Sequence, residues 1–153
     1  MEAKRPWIFG EVLFDCFPDG SRVLGGAPFN VAWHLQALGL KPLFVSRVGR
    51  DDSGREIRSA MDKWGMDRSG LQEDEQWPTG RVTVSFKGGE PDYLIDHPVA
   101  YDRIRPFADP GEAALVYHGS LALRDPVSRQ ALSLLLASTN APVFVDVNLR
   151  APW

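Results

Sequence analysis

Two kinds of apolar patterning alternate along the chain. Continuous apolar runs at 7–14, 114–117 and 142–147 read as strands covered on both faces, and 42–48 is strand-like as well. The first run is taken as one buried strand ending near Asp15. Between the runs lie stretches of helical period. From Ala27 to Leu38 the apolar positions Phe29, Val31, Ala32, Leu35 and Leu38 recur at helical spacing, with Gly39 as a stop. That helix is apolar nearly all round, which predicts burial. Ser53-x-x-Glu56 reads as a capping box opening a second helix with Ile57, Ala60, Met61 and Trp64 on one face and Gly65 at its end. Asp125 reads as the N-cap of a third helix, with Pro126 at its first position and a stripe of Val127, Ala131, Leu134 and Leu135.

A different pattern occupies the middle. Arg81 to Phe86 alternates with period two, Lys87-Gly-Gly-Glu90 supplies turn residues, and Pro91 to Asp96 returns as an extended segment. This is a hairpin with one face toward solvent. Arg22-Val-Leu24, after the Phe17-Pro-Asp-Gly-Ser21 turn, is a further short strand. The expected fold class is therefore α/β: a parallel sheet flanked by helices, with a second, smaller β-sheet beside it. The strand at 142–147 has no following helix to cover it, which predicts an open core and an exposed apolar patch.

Length and charge narrow the partners. The 153 residues suit one domain, and a net charge of −3 does not provide the basic footprint that nucleic acid demands. No leader-like or membrane-spanning apolar stretch is present, so neither export nor insertion is expected. The single cysteine, Cys16, cannot form an internal disulfide, which fits a reducing cytoplasm.

The candidate chemistry clusters around Gly25-Gly-Ala-Pro-Phe-Asn30, between an extended segment and a helix. Paired glycines let backbone approach a ligand, a helix start offers free N–H groups, and Asn30 can pair with a hydroxyl; a tight turn with a packed Asn is the plainer alternative. The spacing matches neither nucleotide-binding glycine fingerprint. Asp15 stands at a strand end, where open α/β sheets bind ligands, and is either a polyol acceptor or a solvated turn residue. Asp146-x-Asn148-x-Arg150 places three polar side chains on one face if the strand persists, with Arg150 able to meet an anion. His34, His97 and His118 lack metal spacing, and Gly119-Ser120 lacks the rest of a nucleophile elbow, so no catalytic or metal residue is assigned.

Taken together, Gly25-Gly26-Ala27-Pro28-Phe29-Asn30-Val31-Ala32, then Gly39 after six residues and Gly49 after nine more, resemble the N-terminal signature of the ribokinase-like (PfkB-type) carbohydrate kinases. Gly10 to Asp15, Val48 to Gly54, the hairpin at 81–96 and Asp146 to Arg150 extend the resemblance over nearly the whole chain. It implies a single ribokinase-like domain with lid segments at about 17–24 and 80–97, and phosphate transfer from ATP with Mg²⁺ to a sugar hydroxyl. It makes Asp15, Gly25, Gly26 and Asn30 sugar contacts, Tyr93 an aromatic lining the pocket, and Arg150 a contact near the sugar or phosphate. Ile95 stands where acid-sugar relatives carry Arg, which favours a neutral sugar, and the Asp-x-Asn-x-Arg ending is fructokinase-like.

The family's anion hole, catalytic Asp and adenine pocket belong to a C-terminal half with no counterpart in this sequence. The expectation is accordingly a sugar-binding front part, inactive alone and without tight ATP binding, able to dimerise through its lid. The alternatives are a non-catalytic sugar-binding or regulatory protein, or a nucleoside kinase of the same fold.

Overall fold

The computed structural model describes residues 4–108 and 110–149. Its main sheet is five parallel strands in the order β5-β4-β1-β8-β9: β1 Arg5–Phe9, β4 Leu43–Gly49, β5 Leu71–Asp74, β8 Ala113–His118 and β9 Val143–Val145. A four-stranded mixed sheet, β3-β2-β6-β7, is built from β2 Leu13–Cys16, β3 Arg22–Gly25, β6 Gly80–Lys87 and β7 Glu90–Ile95. The expected α/β architecture, a parallel sheet with helices and a small second sheet, is thus present.

Alternation along the buried strands explains why they read as continuous apolar runs. In β1, Trp7 and Phe9 enter one core with Leu43, Val45, Tyr101, Leu132 and Leu135, whereas Ile8 enters the other with Phe29, Phe44, Ile57 and Met61. Helix α3, Pro126–Ala137, supplies the first core, and helices α1, Ala27–Ala37, and α2, Asp52–Lys63, supply the second.

Several expectations are corrected. The run 7–14 is two strands in different sheets, because Gly10 adopts φ 149° where a Cβ would stand 2.4 Å from Pro28 Cγ, and the chain changes direction there. Helix α1 is not buried all round: Pro28, Phe29 and Ala32 face inward, while Asn30, His34 and Ala37 are exposed. In α2 the N-cap is Asp51, whose carboxylate accepts from Gly54 N–H at 2.8 Å; the Ser53 hydroxyl instead receives Arg22, which also pairs with Glu56. The inner face of α3 is Ser128, Ala131, Leu132 and Leu135, with Leu134 outside. Strand β9 covers only three residues, and Phe144 is 62% exposed at the sheet edge. Strand β5 went unread because Gln72-Glu73-Asp74 is polar; it pairs at the opposite edge, where Arg47 Nε donates to Asp74 at 2.7 Å in a buried ion pair.

Candidate functional site

The ends of these strands open into a cleft of about 400 Å³ between the two sheets. Its floor comes from Glu11, from Gly119 and Ser120 after β8, and from Asp146 and Asn148 after β9. Gly26, Ala27 and Asn30 at the start of α1 form one wall. The small sheet forms the other, with Leu13 and Asp15 from β2, Val82 and Val84 from β6, and Tyr93 and Ile95 from β7. In-register pairing of Val82 with Asp15 and Ile95, and of Val84 with Tyr93, puts these side chains on one face of that sheet. Parallel sheets commonly bind ligands at the carboxyl ends of their strands, for which the diverging chain leaves room.

Of the residues singled out in the sequence, Asp15, Gly26, Asn30 and Tyr93 meet in this cleft. Gly26 is required by its backbone: φ is 106°, and a Cβ would stand 2.7 Å from the Glu11 carbonyl oxygen. Gly25 lies beside the cleft, where a Cβ would come 3.3 Å from Asp15 Oδ2, tighter than an ordinary van der Waals contact. Asn30 is fixed by its own N–H to the Gly26 carbonyl at 2.9 Å, which starts the helix. Tyr93 stays 54% exposed at the cleft mouth. Arg150 lies outside the described residues.

Two contributors were not recognised from the sequence. Glu11 is 5% exposed, with Oε2 unpaired among the described residues. Burial pushes its pKa up to about 7 against the backbone N–H groups of Glu11 and Ala27, and the Asp146 charge pushes the same way. An acid inside the apolar run 7–14 was the available signal. Tyr117, which reads as core, donates its hydroxyl to Asp146 Oδ2 at 2.8 Å. Burial, then that bond and the charges of Asp146 and Glu11, raises the pKa of its phenol.

The junction between the small sheet and the main body is tied down by charge and hydrogen bonds. Arg124 donates from Nε and Nη2 to the two carboxylate oxygens of buried Asp102 at 2.7 and 2.9 Å, and from Nη2 to the Asp96 carbonyl at 2.6 Å. Asp96 directly follows β7, so this fork anchors the small sheet to the main body. Asp51 does the same from the other side, accepting from Thr79 N–H at 2.8 Å and Thr79 hydroxyl at 2.7 Å just before β6.

Three carboxyl groups, Glu11, Asp15 and Asp146, and two amides, Asn30 and Asn148, line the cleft, and no Lys or Arg does so among the described residues. Such a surface accepts hydrogen bonds from hydroxyl groups and repels anions.

Comparison with known proteins agrees with this arrangement. Residues 14–153 match the family model described as pfkB family carbohydrate kinase. An uncharacterized sugar kinase from Pyrococcus horikoshii, solved in complex with ATP, superposes with a TM-score of 0.84 at 30% identity, over 95% of this chain and 53% of that one. A fructokinase from Vibrio cholerae O395, solved with fructose, ADP and calcium, superposes with a TM-score of 0.79 at 27% identity, over 96% of this chain and 51% of that one. Fructokinase-2 of Oryza sativa subsp. japonica is 27% identical over 164 residues, covering 94% of this chain and 49% of the relative. The chain spans about half the length of the relatives it matches.

Proposed function

The chain belongs to the pfkB family of carbohydrate kinases, and on that premise we propose that its cleft is the sugar site of an ATP-dependent kinase acting on a neutral sugar, fructose first. The observation that carries this reading is the lining itself: Glu11, Asp146, Asn148 and Asn30 on the floor and one wall, with Asp15 among Val82, Val84, Tyr93 and Ile95 on the other. Carboxylate acceptors at Asp15 and Asp146 suit a ring of hydroxyl donors, Asn30 and Asn148 supply both donor and acceptor, and the apolar lid covers the C–H face and excludes water. The absence of a basic group among the described lining residues disfavours an acid or phosphorylated sugar. Relatives named fructokinases direct the choice of fructose.

Phosphoryl transfer needs a positioned hydroxyl, a proton acceptor and donors for the developing phosphate charge. The described cleft supplies the first. Its acidic lining does not fit a nucleotide triphosphate, nor do the described residues bring three metal-ligating side chains together for Mg²⁺. On this reading the 153-residue chain binds sugar without itself phosphorylating it, and a second copy packs over the exposed Val23 and Phe86 of the lid.

Calorimetry on the purified chain with fructose, ribose, adenosine and ATP tests the reading. Fructose binding without tight ATP binding is expected. Binding of adenosine alone would move the site to nucleoside chemistry, and robust ATP-dependent phosphorylation of fructose would overturn the inactivity.

A further inference from the structure

We infer that Tyr117 is a positioning residue of the sugar site: its hydroxyl anchors one carboxylate oxygen of Asp146 so that the other is presented to the bound sugar. The inference rests on reading the cleft as a sugar site. Asp146 sits just past β9, at the sheet edge, where Val147 and Leu149 are exposed. Two bonds from one neighbouring strand hold it. The Asp146 N–H donates to the His118 carbonyl at 3.0 Å, and the Tyr117 hydroxyl donates to Asp146 Oδ2 at 2.8 Å. Main chain and side chain are thus both referred to β8, which lies inside the sheet.

Tyr117 is itself held. Its ring is buried in the core beneath α1 and α2 and stacks on Phe144 at 5.7 Å with 12° between planes. A phenol whose pKa is raised keeps its proton through the ordinary pH range, so Tyr117 remains the donor and Asp146 the acceptor. The neighbouring Glu11 has no hydrogen-bond partner for Oε2 among the described residues, and the Tyr117 hydroxyl goes to Asp146. Without the phenol, the Asp146 carboxylate would turn freely on an edge segment and lose that freedom only on binding sugar, which weakens affinity.

Fructose titration of four forms of the chain tests the inference: wild type, Tyr117→Phe, Asp146→Ala and the double variant. Tyr117→Phe keeps the ring and its stacking and is expected to weaken fructose binding about tenfold. In the Asp146→Ala background the same change is expected to cause no further weakening, because its route to the sugar is already gone. A purely structural tyrosine would lower the melting temperature and affinity equally in both backgrounds, and that result would overturn the inference. So would unchanged affinity in Tyr117→Phe or in Asp146→Ala. Should Tyr117→Phe be too unstable to titrate, a tyrosine fluorinated beside the hydroxyl keeps ring and bond with a stronger donor. Retained or tighter fructose binding is expected there, and weaker binding would overturn the inference. If wild type binds fructose and only the Tyr117 result fails, the sugar-site reading stands; if wild type binds neither fructose nor ribose, both fall.

Discussion

At the scale of single residues, the cleft separates groups that bind from groups that cost stability. Asp15 sits between Val23 and Val82 on the small sheet, with the bare Gly25 backbone beside its carboxylate. Replacing it by Ala is expected to weaken fructose binding by about 1.5–3 kcal/mol, the range for hydrogen bonds to a charged group, as calorimetry would show.

Glu11 behaves differently. Its folded pKa of about 7 lies above the ordinary 4.5, so between those values the folded state holds a proton that the unfolded chain releases. Its contribution to stability is therefore complete below about pH 4.5 and is lost as pH rises through about 7, on the order of 3 kcal/mol in all. Glu11→Gln should flatten that part of the stability profile, as urea denaturation from pH 4.5 to 8 would show. An unchanged slope would mean that the carboxyl ionises freely in the fold. Asp51 and Asp74 act in the opposite sense. Burial opposes their ionisation, but hydrogen bonds from Thr79 and Gly54 to Asp51, and from Gln76 and Trp77 with the Arg47 charge to Asp74, lower their pKa values. Their stabilisation is present above pH 3.8 and disappears as pH falls below it.

At the scale of elements, the small sheet is an insertion whose position depends on a few polar clamps. Asp102 is fully buried and Arg124 nearly so. Arg124→Ala leaves that carboxylate without its bidentate partner and is expected to cost about 3–5 kcal/mol in urea denaturation. A loss below 1 kcal/mol, on the scale of an exposed pair, would show that water replaces the guanidinium. Asp51→Ala removes both the α2 cap and the Thr79 bonds, and about 2 kcal/mol is expected from the cap and the hydrogen bonds together. Because Thr79 leads into β6, this variant should also raise hydrogen exchange across β6 and β7 more than across β1.

At the scale of the whole molecule, the edge of the main sheet stands out. Val143, Phe144, Val145, Val147 and Leu149 form an apolar strip, with Leu149 71% exposed. Strips of this kind drive association. Phe144→Lys is expected to reduce concentration-dependent light scattering without altering the far-ultraviolet spectrum, since Phe144 is 62% exposed and its ring contact is the stack on Tyr117 at the core's margin. Scattering that does not change would place self-association elsewhere.

The sequence alone determined the elements with strong local chemistry: β1, β4, β8 and β9 from their apolar runs, α3 from Asp125 and Pro126, and the hairpin from its alternation around Gly88 and Gly89. Residue type and position singled out Asp15, Gly26 and Asn30, and the family resemblance singled out Tyr93; all four line the cleft. Long-range packing, by contrast, set which groups lose their water and which neighbours they meet. The division of 7–14 between two sheets depends on Pro28 pressing against Gly10, the α2 cap on Asp51 reaching Gly54 and Thr79, and the raised pKa of Glu11 on burial beside Asp146. The Tyr117–Asp146 bond joins residues 29 positions apart. Periodicity and capping are local and can be read along a chain, whereas desolvation and long-range pairing exist only once the chain has closed on itself.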